Sequence, residues 1–104
     1  MKVNITARKF KARETLKEFI ESEVASLEKF SDDIISVDVI LSFQNSKESI
    51  KSAEIIVKVP KQILSATDDS DDFQKSVSAA VQKVARQLTK VKTKKRTVRV
   101  HDND

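Results

Sequence analysis

Four cationic side chains recur in the C-terminal part of the sequence at a spacing that could bind a polyanion. They are Lys83, Arg86, Lys90 and Lys94, separated by three, four and four residues. Residues three or four apart lie on the same side of an α-helix, so these cations are predicted to form one row, the basic ridge. No Asp or Glu occurs between Asp72 and Asp102. The pattern therefore predicts a surface for a polyanion, with nucleic acid as the first candidate.

The helix that must carry the basic ridge is predicted over residues 72–96. Its apolar residues recur at helical spacing and would form the buried stripe: Phe73, Val77, Ala80, Val81, Val84, Leu88 and Val91. A solvated lysine-rich helix end is the alternative, because cations are favoured at the C-terminal pole of the helix dipole. However, eight of the twenty Lys and Arg residues lie between Lys83 and Arg99. That is more than dipole compensation requires, and it favours the binding surface.

The rest of the chain is nearly balanced in charge. Residues 1–82 carry twelve basic and fourteen acidic side chains, so the net charge of +4 comes from the C-terminal segment. A length of 104 residues fits one domain. The absence of Cys excludes disulfides and thiolate metal sites. Because no signal peptide is evident and no apolar stretch approaches the ~20 residues that span a membrane, we expect a cytoplasmic protein with no membrane partner.

Apolar periodicity predicts four strands and two helices. A strand over residues 2–8 precedes a helix over residues 13–30, and two long alternating strands then flank a polar loop as an antiparallel hairpin. A short fourth strand over residues 63–67 leads into the last helix. The order β-α-β-β-β-α predicts an α+β two-layer sandwich in which both helices cover one face of a four-stranded sheet. We expect residues 1–96 to form this single domain and residues 97–104 to be a disordered tail.

Residues for catalysis or for a cofactor are not evident. His101 is the only histidine and lies in the polar tail, where nothing would orient it as a general base. The chain has no Gly at all, and therefore no Gly-rich loop for a nucleotide phosphate. We expect no enzyme activity, no cofactor and no small-molecule substrate.

A cluster of aspartates precedes the last helix: Asp68, Asp69, Asp71 and Asp72. It lacks the Gly and the terminal Glu of a calcium loop, so we expect no metal site. Carboxylates at this position are predicted to cap the free N–H groups of the helix instead.

The aromatic residues are predicted to be structural. They are Phe10, Phe19, Phe30, Phe43 and Phe73, and four of them lie on apolar faces. Phe10, beside Arg8 and Lys9, is the one that could stack on a base, although burial is the preferred interpretation. RNA binding is therefore expected to act through phosphates and the shape of folded RNA.

Several segments resemble the ribosome hibernation-promoting factor family. They are VNITARKF near the N-terminus, LEKF at the end of the first helix, the strand DVILSF and the long segment DDFQKSVSAAVQKVARQLTK. The resemblance covers about residues 1–95, and KVARQLTK (residues 83–90) is its most specific part. This family includes the ribosome-associated inhibitor also called protein Y, and its members were once described as sigma-factor modulation proteins. Its βαβββα fold is similar to that of a double-stranded-RNA-binding domain.

The resemblance implies binding to ribosomal RNA of the small ribosomal subunit, between its head and body. There the protein would occlude messenger RNA and the A- and P-site transfer RNAs during stationary phase or stress. The RNA contacts carry over to the basic ridge, with Gln87 beside it as a hydrogen-bond donor, and less directly to Arg8, Lys9 and Lys11. The protein is expected to be monomeric off the ribosome. From its length of 104 residues we expect no dimerising domain of the kind that long members carry.

The sequence departs from the family pattern at three kinds of position. Ala7 and the segment Pro60-Lys61-Gln62 stand where the family usually has Gly, Arg13 replaces a capping Thr, and Phe73 replaces a Tyr. These changes concern loop geometry and the start of the first helix. Two other functions stay open: a protein-interaction regulator, for instance of a sigma factor, and a generic binder of double-stranded RNA.

Overall fold

The fold has the element order that the sequence predicts. The computed structural model describes residues 1–44 and 49–103, with side chains described as far as Val91. The elements are β1 (Lys2–Ala7), α1 (Glu14–Ala25), a 3₁₀ turn (Ser26–Lys29), β2 (Ser36–Phe43), β3 (Lys51–Val59), β4 (Gln62–Ser70) and α2 (Phe73–Asn103). The predicted α+β class and the order β-α-β-β-β-α are confirmed.

The four strands form one sheet in the order β1-β2-β3-β4. β1 is parallel to β2, which requires a crossover connection, and α1 supplies it. The predicted antiparallel hairpin of β2 and β3 is confirmed, with Val39 opposite Ile55, and β4 continues the antiparallel pairing. α2 packs on β3 and β4, and α1 packs on β1 and α2. β1 and β4 are therefore the two edge strands, and both helices cover one face.

The core lies between the sheet and the two helices. Alternate residues of β2 and β3 are fully buried, among them Val37, Leu41 and Ile55. The predicted stripe of α2 meets them and is confirmed by the burial of Val77 and Val84. Burying an aliphatic side chain of this size contributes ~1.5–3 kcal/mol, so the stripe fixes the rotation of α2 about its axis. The basic ridge follows the flank of the same helix, and its direction is fixed with it.

α1 is shorter than predicted and begins without a side-chain cap. It ends at Ala25 rather than at residue 30, and the chain continues as the 3₁₀ turn. The Ser26 hydroxyl donates to the Glu23 carbonyl oxygen at 2.6 Å, a local bond that competes with the α-helical pattern. Leu27 is still fully buried, whereas Phe30, predicted to lie in the core, is 37% exposed. At the other end Arg13 offers no side-chain acceptor, as its replacement of Thr predicted.

β4 is longer than predicted, and this changes the role of the aspartates. It spans Gln62–Ser70, because Asp68, Asp69 and Ser70 pair with Ala53, Ser52 and Lys51 of β3. Pairing with a long neighbour outweighs the low strand propensity of Asp. The prediction that the whole cluster caps α2 is therefore wrong for Asp68 and Asp69. It holds for Asp72, whose Oδ1 accepts a hydrogen bond from the Gln74 N–H at 3.1 Å.

A buried hydroxyl network ties the start of α2 to the sheet. The Ser76 side chain is fully buried on the helix and donates to the Lys51 carbonyl oxygen at 2.7 Å. It also lies 2.8 Å from the Ser70 hydroxyl, which donates to the Asp72 carbonyl oxygen at 2.6 Å. These bonds satisfy polar groups at a tight turn that contains no Gly. They hold α2 in fixed register over β4.

Two further predictions meet a different outcome. The apolar alternation Ile35, Val37, Val39 predicts that Ile35 faces the core, but Ile35 precedes β2 and is 58% exposed. α2 continues to Asn103, past the predicted end at residue 96. Side chains of residues 92–104 lie outside the described part of the chain. The domain boundary and the disordered tail over 97–104 therefore stay predictions.

Candidate nucleic-acid interface

The basic ridge lies along the flank of α2 that borders the edge strand β4. A step of four residues along a helix covers about 6 Å, which is close to the length of two residues along a strand. Lys83 contacts Thr67 and Gln87 contacts Ser65, so the helix and the strand run antiparallel with this matched step. Because β4 connects directly to α2, the short turn between them sets this register.

Lys83 is held by groups of β4. Its Nζ donates to Asp68 Oδ2 at 3.0 Å and to the Thr67 carbonyl oxygen at 3.2 Å. The absence of acidic residues between Asp72 and Asp102 predicts a ridge with no acidic partner. At Lys83 this prediction is wrong, because the longer β4 carries Asp68 alongside the helix. The hydrogen bond from Lys83 holds the pKa of Asp68 below its ordinary value of 3.8, partly opposed by burial.

Gln87 is anchored in the same way. Its Nε2 donates to the Ser65 carbonyl oxygen at 2.8 Å. An amide nitrogen has two N–H donors, so one is left for an external acceptor. Gln87 is therefore placed beside the ridge with one donor available.

Arg86 and Lys90 are the exposed cations of the ridge. Within the part of the chain whose side chains are described, neither forms an ion pair. Their charges are not neutralised by a neighbour and can meet phosphate groups at the surface. The Lys94 side chain lies outside the described residues, so its place on the ridge stays a prediction.

The second predicted group, Arg8, Lys9 and Lys11, lies elsewhere on the molecule. All three residues are exposed in the segment that follows β1, where the Arg8 N–H donates to the Leu41 carbonyl oxygen at 2.9 Å. β1 is the edge strand opposite β4. With strands ~4.8 Å apart, the two edges are separated by about 14 Å. The structure therefore does not join the two basic groups into one patch.

The aromatic residues beside the second basic group pack on one another. The Phe10 and Phe73 rings are stacked with centroids 5.1 Å apart, and Phe43 lies 5.0 Å from Phe10 and 5.3 Å from Phe73. Phe73 is 7% exposed and Phe10 is partly buried. The preferred interpretation of Phe10 as a packing residue is confirmed.

Other kinds of site are not found in the described part of the chain. Over residues 1–44 and 49–91, no three potential ligands of the His, Cys, Asp and Glu types converge on a metal position. No described helix is long and apolar enough to cross a membrane.

Sequence reasoning missed the side chains and carbonyls of β4 that hold the ridge. Asp68 was interpreted as a cap, and nothing local marks the carbonyls of Ser65 and Thr67. The short connection between β4 and α2 could have revealed them. It forces the strand and the helix to run antiparallel, which places Asp68 beside Lys83, the first cation of the ridge.

A protein-family comparison decides the relationship of this chain to known proteins. The family described as "Sigma 54 modulation protein / S30EA ribosomal protein" matches residues 3–96. The chain belongs to this family. The resemblance that was stated from the sequence is thereby confirmed.

Two curated relatives are similar in sequence to this chain over nearly its whole length. The ribosome hibernation promoting factor of Escherichia coli is 30% identical over 94 residues, which are 90% of this chain and 96% of that protein. The ribosome-associated factor Y of Haemophilus influenzae is 28% identical over 102 residues, with 98% and 92% of the two chains covered.

A solved structure agrees with the fold. The ribosomal subunit interface protein from Coxiella burnetii superposes with a TM-score of 0.82 at 25% identity, covering 89% of this chain and 99% of that chain. The similarity in fold therefore extends over most of this chain.

Proposed function

We propose that this protein is a ribosome-associated hibernation factor that acts by binding and not by catalysis. It would bind ribosomal RNA of the small subunit in the decoding channel and occlude messenger RNA and the A- and P-site transfer RNAs. The observation that carries the proposal is the exposed pair Arg86 and Lys90 on the flank of α2 in a member of the S30EA family, with no ion pair to either among the described side chains. The names of its relatives support the ribosome as the target.

Arg86 and Lys90 are proposed to supply the main phosphate contacts. Lys83 adds a more directed contact, because an ammonium has three donors and two of them are already used on β4. Gln87 adds a neutral donor between them. Arg8, Lys9 and Lys11 would contact a second segment of RNA from the opposite edge of the sheet.

Co-sedimentation with salt-washed ribosomes and separated subunits tests this proposal. At near-physiological salt, the protein should pellet stoichiometrically with the small subunit, and transfer RNA should compete with it. Arg86→Glu combined with Lys90→Glu should abolish pelleting. Lys83 is left unchanged in this variant, because a carboxylate there would face Asp68.

The matched control reverses two lysines on the open face of the sheet. Lys2 and Lys58 are exposed and flank Ser36 on the face away from the helices. Lys2→Glu combined with Lys58→Glu changes the net charge equally and should still pellet. Pelleting by the Arg86/Lys90 variant would contradict the assignment of the ridge. Equal affinity for naked duplex RNA would identify a generic RNA binder, and failure to pellet with any particle would favour a protein-interaction regulator.

Salt dependence provides a second readout. Each phosphate contact adds about −0.7 to −0.9 to the slope of log affinity against log salt. Replacing Arg86 and Lys90 with Gln should therefore reduce the magnitude of the slope by about 1.4–1.8. An unchanged slope would show that these cations do not meet phosphates.

A further inference from the structure

Lys61 occupies a backbone conformation that favours Gly. It follows Pro60 in the two-residue turn between β3 and β4, where Val59 pairs with Gln62. Its φ angle is 68°, in the left-handed region. A turn with Pro at the first central position and positive φ at the second is of type II, which selects Gly or Asn there. A long side chain at this position carries a steric cost that Gly would not.

This turn lies at the end of the row formed by β4 and the basic ridge. Lys83 donates to the Thr67 carbonyl oxygen and Gln87 to the Ser65 carbonyl oxygen. A step of four residues towards the C-terminus of α2 therefore corresponds to two residues towards the start of β4. The next step brings Val91 to the start of β4. Lys61 and Val91 do line one crevice of about 400 Å³, together with Gln62 and Leu88. Lys61 therefore lies close to Val91, the residue that follows Lys90 along α2.

The charge of Lys61 is available to an external anion. The residue is exposed, and it forms no ion pair within the part of the chain whose side chains are described. Asp32 and Asp33 line the same crevice, yet neither pairs with it. Among the described side chains, Lys61 therefore has no ion pair that would compensate for its backbone conformation.

We propose that Lys61 is a further phosphate-binding residue, which extends the basic ridge of α2 around the β3–β4 turn. Its ligand is the phosphate backbone of the RNA that the ridge holds, so the inference rests on the proposed function. The side chain is exposed on a tight turn, from which a lysine would reach a phosphate beyond the end of the described helix face.

Lys61→Gly separates binding from folding. Gly suits a positive φ angle, so the thermal midpoint should stay the same or rise. Ribosome binding should weaken about three- to ten-fold at near-physiological salt, and the magnitude of the salt slope should fall by about 1. Lys61→Arg should retain binding, because it keeps the charge. Lys58→Gln, which removes one charge from the open face of the same β3 strand, should bind like the unaltered protein.

The outcomes distinguish this inference from the proposed function. Suppose that Lys61→Gly binds with unchanged affinity and salt slope while the Arg86/Lys90 reversal does not bind. The ridge then contacts RNA and Lys61 does not. If the reversal binds normally, the assignment of the ridge falls and the inference with it, whereas the proposed function falls only if the unaltered protein fails to bind ribosomes. Should Lys61→Gly lose stability, Lys61→Asn provides the same loss of charge in a residue that tolerates the left-handed region. Full binding by the folded Asn variant would overturn the inference.

Discussion

Lys83 differs from the other cations of the ridge in how much of its bonding capacity is left. An ammonium group has three donors, and Lys83 uses two of them on Asp68 and Thr67. Its remaining donor has a restricted direction. Arg86 and Lys90 keep their N–H donors available and can bind phosphates at several positions. The ridge therefore combines one oriented contact with two adaptable ones.

The Asp68–Lys83 pair predicts a pH-dependent stability. Asp68→Asn removes the charge but keeps an acceptor, and should cost about 0.2–1 kcal/mol of unfolding free energy near neutral pH, because the pair is partly exposed. The folded-state pKa of Asp68 lies below its ordinary value of 3.8. The stabilisation is therefore complete above 3.8 and disappears as pH falls through the lower, native pKa.

Urea unfolding of both proteins across the acid range measures this effect. The difference in unfolding free energy between Asp68→Asn and the unaltered protein should be present near neutral pH. It should disappear in acid, once Asp68 of the unaltered protein is protonated. A difference that persists unchanged in acid would assign the effect to packing rather than to charge.

At the scale of elements, the start of α1 is a site where stability can be gained. Arg13 precedes the helix in an extended conformation, with φ −70° and ψ 154°, and caps nothing. Arg13→Ser would place a hydroxyl acceptor there and should stabilise the protein by about 1 kcal/mol. For a domain of this size, that corresponds to a rise of about 4–8 °C in the thermal midpoint.

Arg13→Ala is the control for this prediction in thermal unfolding. It removes the same charge without providing an acceptor, so it should not reproduce the gain. Equal midpoints for the Ser and Ala variants would show that loss of the guanidinium, and not capping, is the cause.

Periodicity predicts element types well here and element ends poorly. The stripe of α2 and the alternation of β2 and β3 are strong because burial imposes them along many residues. The end of α1 depends instead on one hydroxyl, that of Ser26, and the length of β4 depends on the strand that it pairs with. The Asp68–Lys83 bond follows from that length, so sequence reasoning could place the ridge but not its acidic partner.

At the scale of the whole molecule, the two basic groups lie on opposite edges of the sheet. The segment of Arg8, Lys9 and Lys11 follows β1, and the ridge borders β4. Sequence reasoning could identify both groups from composition. It could not show their separation, because that is set by the order of strands in the sheet. One RNA that contacts both groups must therefore reach both edges of the sheet.

This separation predicts additive losses of binding. Arg8→Gln and Lys90→Gln should each weaken ribosome binding, and the double variant should lose the sum of the two free energies within about 0.3–0.5 kcal/mol. Distant sites without shared partners do not couple. Equilibrium binding to small subunits, measured for all four proteins of the cycle, checks this. A large coupling energy would contradict independent contacts at the two edges.

The bonds from Lys83 and Gln87 to the Thr67 and Ser65 carbonyls also affect how free copies of the protein meet one another. An exposed edge strand is a template onto which a second chain can add a strand, and rows of such additions lead to aggregates. On β4, a second copy would first have to displace two side chains and bring like charges together. The residues proposed to hold RNA would thus also oppose aggregation of the unbound protein.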